Sequence, residues 1–513
     1  MMNKILCYII AGISFYSCAK DKGNYSYGLS EDILITGFQD QYNLISLQDT
    51  LSISPQVSSN KDGDFEYTWG VIENLAAGKI NTFDTIAHTK DLSFPIKLDA
   101  NEWILVFQAK NIKTGYSQYK TAKLSVNTVS TRGWYILKDN DKDSDLDVFL
   151  TPNDISATSR IDNVLSSSSG NKMPGKAINM SFSSTYQSNV ADPAVFTNTR
   201  ALLVATDNDI RAININNLRT IRDHSSFFIN GSQPIEGPTG IFNGNTSIYL
   251  FNQGLLYNIN TVNQNKGQFG NKIRIDFNNT TYSLSPYFVV RPNMDPILFD
   301  NLSATFVTLV AGNGATMTKL NQVQDNDLPV AGSNKTPIYM GYKSTGTASK
   351  LQGYAVLQDN SDASNRSLYF LEKDKLNLSL KRVSLETGSK VQGASMFTLL
   401  TEDENLLYFV SNNSLYSKNL SNGNEQLQYT VPAGERVTFI KHLKYTLSSD
   451  AAYNFNYFII GTKSGADYKV RMFKKSSGNL ESSPSQTLEG NGTAKGILYI
   501  SPKINTNTFI NSY

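Results

Sequence analysis

A chain of 513 residues is longer than one ordinary domain, and at about 100–200 residues per domain it calls for several, unless a repeat fold takes up the length. Lys and Arg total 46 against 44 Asp and Glu, a formal charge of +2 with no basic stripe along the sequence, which excludes nucleic acid as an expected partner. Abundant Tyr (27) and Phe (26), many Asn, Ser, Thr and Gly, and few helix formers predict short strands joined by tight polar turns: an all-β chain.

The opening "MMNKILCYIIAGISFYSC" has a positive start at Lys4, an apolar run from Ile5 to Phe15 and a small residue, Ser17, before Cys18. That order predicts a secretory signal over residues 1–17, since the run is too short to span a bilayer. The Phe-Tyr-Ser-Cys ending resembles the lipobox of bacterial lipoproteins, which implies cleavage before Cys18 and acylation of that cysteine. More than one acyl chain would give stable membrane anchoring. The mature chain would then keep neither a free thiol nor a disulfide, and its stability would rest on packing. Residues 18–31 are polar, turn-rich and aperiodic, and read as a tether. A charged "KDK" just after the cysteine resembles the signals that send lipoproteins of Bacteroidota to the outer face of the outer membrane; a plain solvated linker is the alternative.

Residues 32–128 carry short alternating runs: "DILITGF", "DTLSISPQV", "FEYTWGVI", "NEWILVFQAKN" and "QYKTAKLSVNT". Several such strands over about a hundred residues predict an immunoglobulin-like β-sandwich, with Trp69 as a buried central-strand aromatic and a long hairpin around "NIKTGY". Its expected role is a spacer.

Residues 132–513 repeat one unit. Hairpins begin at 134, 201, 247, 304, 354, 405 and 456, each an aromatic-rich strand, a turn of Asp, Asn, Gly or Ser, and a second alternating strand. The spacing of about 54 residues matches the blades of a β-propeller, and the seven copies predict seven blades. "GWYIL" at Gly133 and "GILYI" at Gly496 share a pattern at opposite ends of the repeat region and are expected to be neighbours in one closing blade.

In "YILKDNDKDSDLDVFL" every second residue from Asp139 to Asp147 is an acid. Asp139, Asp141, Asp143 and Asp145 have the alternate spacing of the first half of a calcium loop, the one cofactor the sequence suggests. Ser144 stands where such a loop needs glycine, and no bidentate glutamate follows. The other repeats place turn residues at the same point, so the run is read as a hairpin turn with its acids pointing mainly to solvent, and no metal is favoured.

Catalytic constellations are not visible along the chain. His88, His224 and His442 are far apart, and the spacings of serine-hydrolase, zincin and P-loop motifs do not occur. A pair of carboxylates acting as acid and base would meet only in the fold. Trp134, Tyr135, Tyr249, Tyr257, Tyr287, Tyr354, Tyr408 and Tyr416 read as packing residues, whereas Tyr339, Tyr342 and Tyr453 read as loop residues suited to a binding face.

The order of lipobox, "KDKGNY" tether, sandwich with "YTWGV", then "GWYIL" with its acidic "SDLDVF" continuation, resembles the PKD-like surface lipoproteins of Bacteroidota. The resemblance implies an accessory binding subunit beside a SusC/SusD-type outer-membrane importer, lipid-anchored and facing the cell exterior, that captures oligopeptides or oligosaccharides and is not an enzyme. The alternatives are a propeller hydrolase using paired carboxylates and a purely structural subunit. The turn reading predicts identical thermal melting of the protein with millimolar calcium and with chelator, because a site present only in the folded state would raise the melting temperature.

Overall fold

The computed structural model describes residues 30–505 apart from 47, 74–82, 193–194, 230–236, 245–246, 261–265, 276–280, 292–293, 310–315, 347–349 and 386–387. The signal, Cys18 and most of the tether lie outside the described residues. The chain divides into two compact units, Met1–Val126 and Asn127–Tyr513, and is all-β, with 60% strand and 5% helix. Among the described residues no helix is long and apolar enough to cross a membrane.

The first unit is the expected sandwich. Its five-stranded sheet runs in the order Gln41–Ile45, Ser117–Asn127, Asn101–Asn111, Phe65–Glu73, Phe83–Ala87, and two small sheets pair Ile33–Thr36 with Gln56–Ser59 and Thr50–Ile53 with Leu92–Pro95. The hairpin around "NIKTGY" joins Asn101–Asn111 to Ser117–Asn127. Alternation turns Trp69, Val71, Leu105 and Phe107 inward onto Leu51, Ile53 and Ile33. Trp69 is fully buried 4.4 Å from the Phe107 ring, and its indole N–H donates to the Thr89 carbonyl at 2.9 Å, which satisfies its one polar atom.

The second unit is a β-propeller. Among the described residues it contains seven sheets of three to five strands. Their first strands are Thr493–Ile500, Ala177–Asp192, Pro238–Asn243, Val289–Arg291, Lys335–Thr345, Met396–Leu399 and Arg436–Tyr445, heading sheets 1 to 7 in that order. Apolar clusters join each sheet to the next. Ile248 and Leu250 of sheet 3 meet Leu203 of sheet 2, Phe409 of sheet 6 meets Tyr339 of sheet 5, and one large cluster ties sheet 7 through sheet 1 to sheet 2. First strands of neighbouring sheets also lie against one another at every junction but that of sheets 3 and 4, which an apolar cluster joins. Because both faces of each sheet are covered, its strands read as nearly unbroken apolar runs rather than a clean alternation.

Every hairpin expected from the repeat forms. The copy beginning at 304 is displaced by one strand, because Thr305–Leu309 and Thr316–Lys319 are the third and fourth strands of sheet 4, whereas the other copies are second and third. The strand before it, Met294–Asp300, carries Pro296 and two acids, and these weaken its sequence signature.

Thr493–Ile500 pairs antiparallel with Gly133–Asp139, placing Trp134 opposite Tyr499 and Gly133 opposite Ile500. A side chain at Gly133 would put its first carbon 2.5 Å from the Phe149 carbonyl oxygen, so this crossing excludes one. Trp134, Phe455 and Tyr499 form a fully packed triad with ring centroids 4.8–5.4 Å apart. Trp134→Ala is expected to lower unfolding stability by about 3–5 kcal/mol, read from urea titration. A loss below about 1 kcal/mol would show that closure does not depend on this packing.

Candidate functional site

The acidic run forms a hairpin. Gly133–Asp139 pairs with Asp143–Leu150, matching Tyr135 with Val148 and Leu137 with Leu146. The turn is only Asn140–Lys142, with Asp141 in the left-handed region at φ 70° and the Asn140 side chain accepting the Lys142 and Asp143 amides at 3.0 and 2.7 Å. The expected exposure of the acids is corrected: Asp141 is exposed, but Asp139, Asp145 and Asp147 are buried. Their two-residue spacing is strand periodicity, and a blade has no solvent face to offer them. Each is satisfied separately. Asp139 accepts the Ala177 amide at 3.1 Å; Asp145 accepts the Leu165 amide at 2.9 Å and the Ser166 hydroxyl at 2.6 Å; Asp147 takes the Tyr468 hydroxyl and the Lys138 ammonium, both at 2.7 Å. Asp143 is half-buried. Among the described residues no three His, Cys, Asp or Glu side chains gather as a metal site.

The loop-tyrosine reading is also corrected in part. Tyr339 and Tyr342 sit in the strand Lys335–Thr345 and are buried, with hydroxyls donating to other groups or held by them: Tyr339 receives the Leu399 amide at 3.0 Å, and Tyr342 donates to Glu402 at 2.7 Å. Tyr453 remains half-exposed, stacked under the Arg132 guanidinium at 3.6 Å. Of the eight tyrosine and tryptophan residues expected to pack, Trp134, Tyr135, Tyr249, Tyr257, Tyr354 and Tyr408 are buried, and Tyr287 and Tyr416 half-buried.

A polar junction that the sequence did not reveal joins sheets 5, 6 and 7. Its centre is the turn from Leu400 to Glu404. Lys343 donates to the carbonyls of Leu400, Asp403 and Glu404 at 2.7–2.9 Å, and burial holds its ammonium down to about 8. Lys475 pairs with Asp403 and Glu404 at 2.9 Å each. Burial opposes ionisation of Asp403, but hydrogen bonds within the turn and from Asn456 and Lys475 outweigh it and hold the carboxyl well below its usual range. His442 is buried beside it. Its Nδ1 accepts the Thr401 amide at 3.0 Å, so the neutral ring carries its proton on Nε2 and donates to Asn456 Oδ1 at 2.8 Å. His88 is exposed just beyond the strand Phe83–Ala87 of the first unit, and His224 is half-buried in the short 3-10 turn His224–Ser226, so neither joins His442.

The inner strands share a second feature. In five sheets the first strand carries an extra residue against its partner near its start or middle, at Lys495, Ile178, Thr239, Ile338 and Thr438, and Lys335–Thr345 carries a second at Lys343. Each of the five is partly exposed within a largely buried strand. The first strand is the edge of its sheet, and the extra residue interrupts its pairing there. Ile178 packs against the apolar cluster between sheets 2 and 3 and Ile338 against that between sheets 5 and 6. Asn179, next to Ile178, bonds both backbone groups of Ile241, two residues after Thr239, and so aligns the interruptions of sheets 2 and 3.

Residues 18–177 match the PKD-like family, a stretch that runs through the sandwich and the acidic hairpin to the start of sheet 2. No curated protein matches. Among solved structures the chain is similar to a quinonprotein alcohol dehydrogenase-like protein from Bacteroides thetaiotaomicron, at 12% identity over 91% of this chain and 99% of that one, TM-score 0.38. It is also similar to the extracellular domain of a one component system protein of the same organism, at 10% identity over 91% and 70%, TM-score 0.36, and to the WD40 domain of SCAP from fission yeast, at 9% over 64% and 74%, TM-score 0.31. These likenesses are too distant to carry chemistry to this chain.

His442 supplies a pH test of the junction. Burial lowers its folded value to about 4 from an ordinary 6.5, so its neutral form stabilises the fold fully above pH 6.5, and that contribution is lost as pH falls through 4. The loss amounts to roughly 3 kcal/mol. Unfolding titrations at successive pH values should show this fall in the parent and a shallower one in His442→Gln, which can keep both hydrogen bonds. Equal slopes would mean the ring titrates freely.

Proposed function

We propose that this protein is a cell-surface lipoprotein that acts as an accessory binding subunit of a SusC/SusD-type importer, with Cys18 acylated, the sandwich as spacer and a seven-bladed propeller as the ligand-binding body for oligopeptides or oligosaccharides. The observation that carries the reading is the set of seven sheets joined face to face by apolar clusters, five of whose first strands are interrupted by an extra, partly exposed residue. A rigid propeller scaffold with loops gathered around a central channel suits retention of an extended ligand. The family match over residues 18–177 and the lipobox pattern support the surface location.

Affinity purification from membranes tests partner and compartment together. An importer pair is expected to co-purify with the protein, and mass spectrometry of the N-terminal peptide is expected to find acylated Cys18. Recovery of the protein alone with an unmodified Cys18 overturns the reading. Cleavage of peptide or glycan pools, abolished by one acidic substitution, would replace it with the hydrolase alternative.

A further inference from the structure

Apolar surface is exposed at one end of the sandwich. Among the described residues of the first unit the exposed large apolar side chains are Leu34, Phe83, Ile112, Tyr116 and Tyr119, and the last three belong to the one hairpin that joins Asn101–Asn111 to Ser117–Asn127. Ile112 is 62% exposed and Tyr116 43%, both in the tip itself. Turns select Gly, Asn, Asp and Ser for their backbone and side-chain bonding, so the turn does not explain a bare isoleucine. Nor is the tip loosely held. Asn111 is fully buried, its amide donates to the Tyr116 carbonyl at 2.9 Å and closes the loop that carries Ile112 and Tyr116, and its side-chain oxygen accepts the Lys113 amide at 3.0 Å.

The start of the sandwich is tied to this same tip. Glu31 accepts from the Asn111 side chain at 2.8 Å and from the Thr114 hydroxyl, and the Asn60 side chain donates to the Ser30 carbonyl at 3.0 Å. The hairpin register sets Ser117 opposite Lys110 at this end and Val126 opposite Asn101 at the other, about 30 Å away along the strands. Cys18 precedes Ser30 by 12 positions. Whatever path they take, 12 residues reach no further than about 43 Å, so an acylated Cys18 holds the pole that carries the tip close to the lipid. The exposed charges at this pole are of both signs, Lys61 and Lys113 with Asp32, Asp62 and Asp64, which leaves the apolar pair as its distinguishing feature.

We propose that the hairpin tip is a second membrane contact, with Ile112 and Tyr116 seated in the interfacial layer of the bilayer in which Cys18 is anchored. Tyrosine suits that layer, because its ring is apolar and its hydroxyl stays in water. Two exposed side chains bind lipid weakly alone, but the tether turns their insertion into an intramolecular step at high effective concentration. Two points of attachment stand the sandwich on its tip rather than along the lipid, as its spacer role requires. The inference rests on the reading of Cys18 as acylated.

The test uses the acylated mature chain in phosphatidylcholine vesicles that contain headgroup-labelled nitroxide lipid. A fluorophore is placed on Lys113→Cys at the tip or, in a second preparation, on Lys97→Cys, exposed just before Asn101 at the opposite pole; acylation of Cys18 leaves no other thiol to react. The tip fluorophore is expected to be quenched and the Lys97 one not, to the same extent with and without added phosphatidylglycerol. Ile112→Ser with Tyr116→Ser, at exposed positions that leave the melting temperature unchanged, is expected to abolish the quenching. Equal quenching at the two poles, or quenching that survives the double substitution, overturns the contact and leaves the anchor standing. Quenching only with phosphatidylglycerol overturns it as well, since charge and not the apolar pair would then bind. An unquenched tip in protein that sediments as a dimer assigns the surface to a second copy. Protein that does not stay with the vesicles removes the anchor and this inference together.

Discussion

The propeller depends on one strand pairing. Thr493–Ile500 supplies the inner strand of the sheet whose other strands begin at Gly133, so two segments about 360 residues apart in sequence share a ladder. Without that pairing sheet 1 would lack its inner strand, the first strands would not close around the channel, and a large apolar cluster spanning sheets 7, 1 and 2 would be opened to water. The same region is clasped by polar contacts. Asp450 accepts the Tyr445 and Ser501 hydroxyls at 3.0 and 2.7 Å and pairs with Arg132 at 3.2 Å, and Arg200 donates to the carbonyls of Ser501 and Ile504 at 2.6 and 2.9 Å. Polar groups at the closure are thereby satisfied where both sheet faces are covered.

Burial on both faces also explains why so many charged groups in this protein are internal. A blade strand cannot send alternate residues to solvent, so an acid or base within it must find a partner. Asp145 holds the short helix Val164–Ser169, Asp147 joins sheet 1 to Tyr468 of sheet 7, and Arg471 binds Glu435 through two bonds of 2.7 and 2.8 Å. The junction around Asp403 repeats the arrangement across three sheets. Of these, the Asp147–Tyr468 contact and the junction cross between blades and fix how one sits against the next, because an unmatched buried charge is costly.

The sequence itself determined the class of fold, the sandwich followed by the propeller, the repeating hairpins, and the neighbours of the closing sheet. All of these rest on local periodicity and turn residues, which strands of about five to ten residues write into contiguous sequence. Trp69 and Trp134 were legible as packing residues for the same reason. Tertiary structure alone decided what the polar residues do. Asp139, Asp145 and Asp147 look solvated in a linear reading, because it cannot say that both faces of their strands are covered. Tyr339 and Tyr342 looked like loop residues, because Gly341 and Pro337 interrupt a strand whose bulges hide its alternation. The junction brings Lys343, Asp403, His442 and Lys475 together from segments more than a hundred residues apart. Nothing in the spacing of those residues announces it, because which polar groups meet is set by how one sheet packs on the next and not by local periodicity.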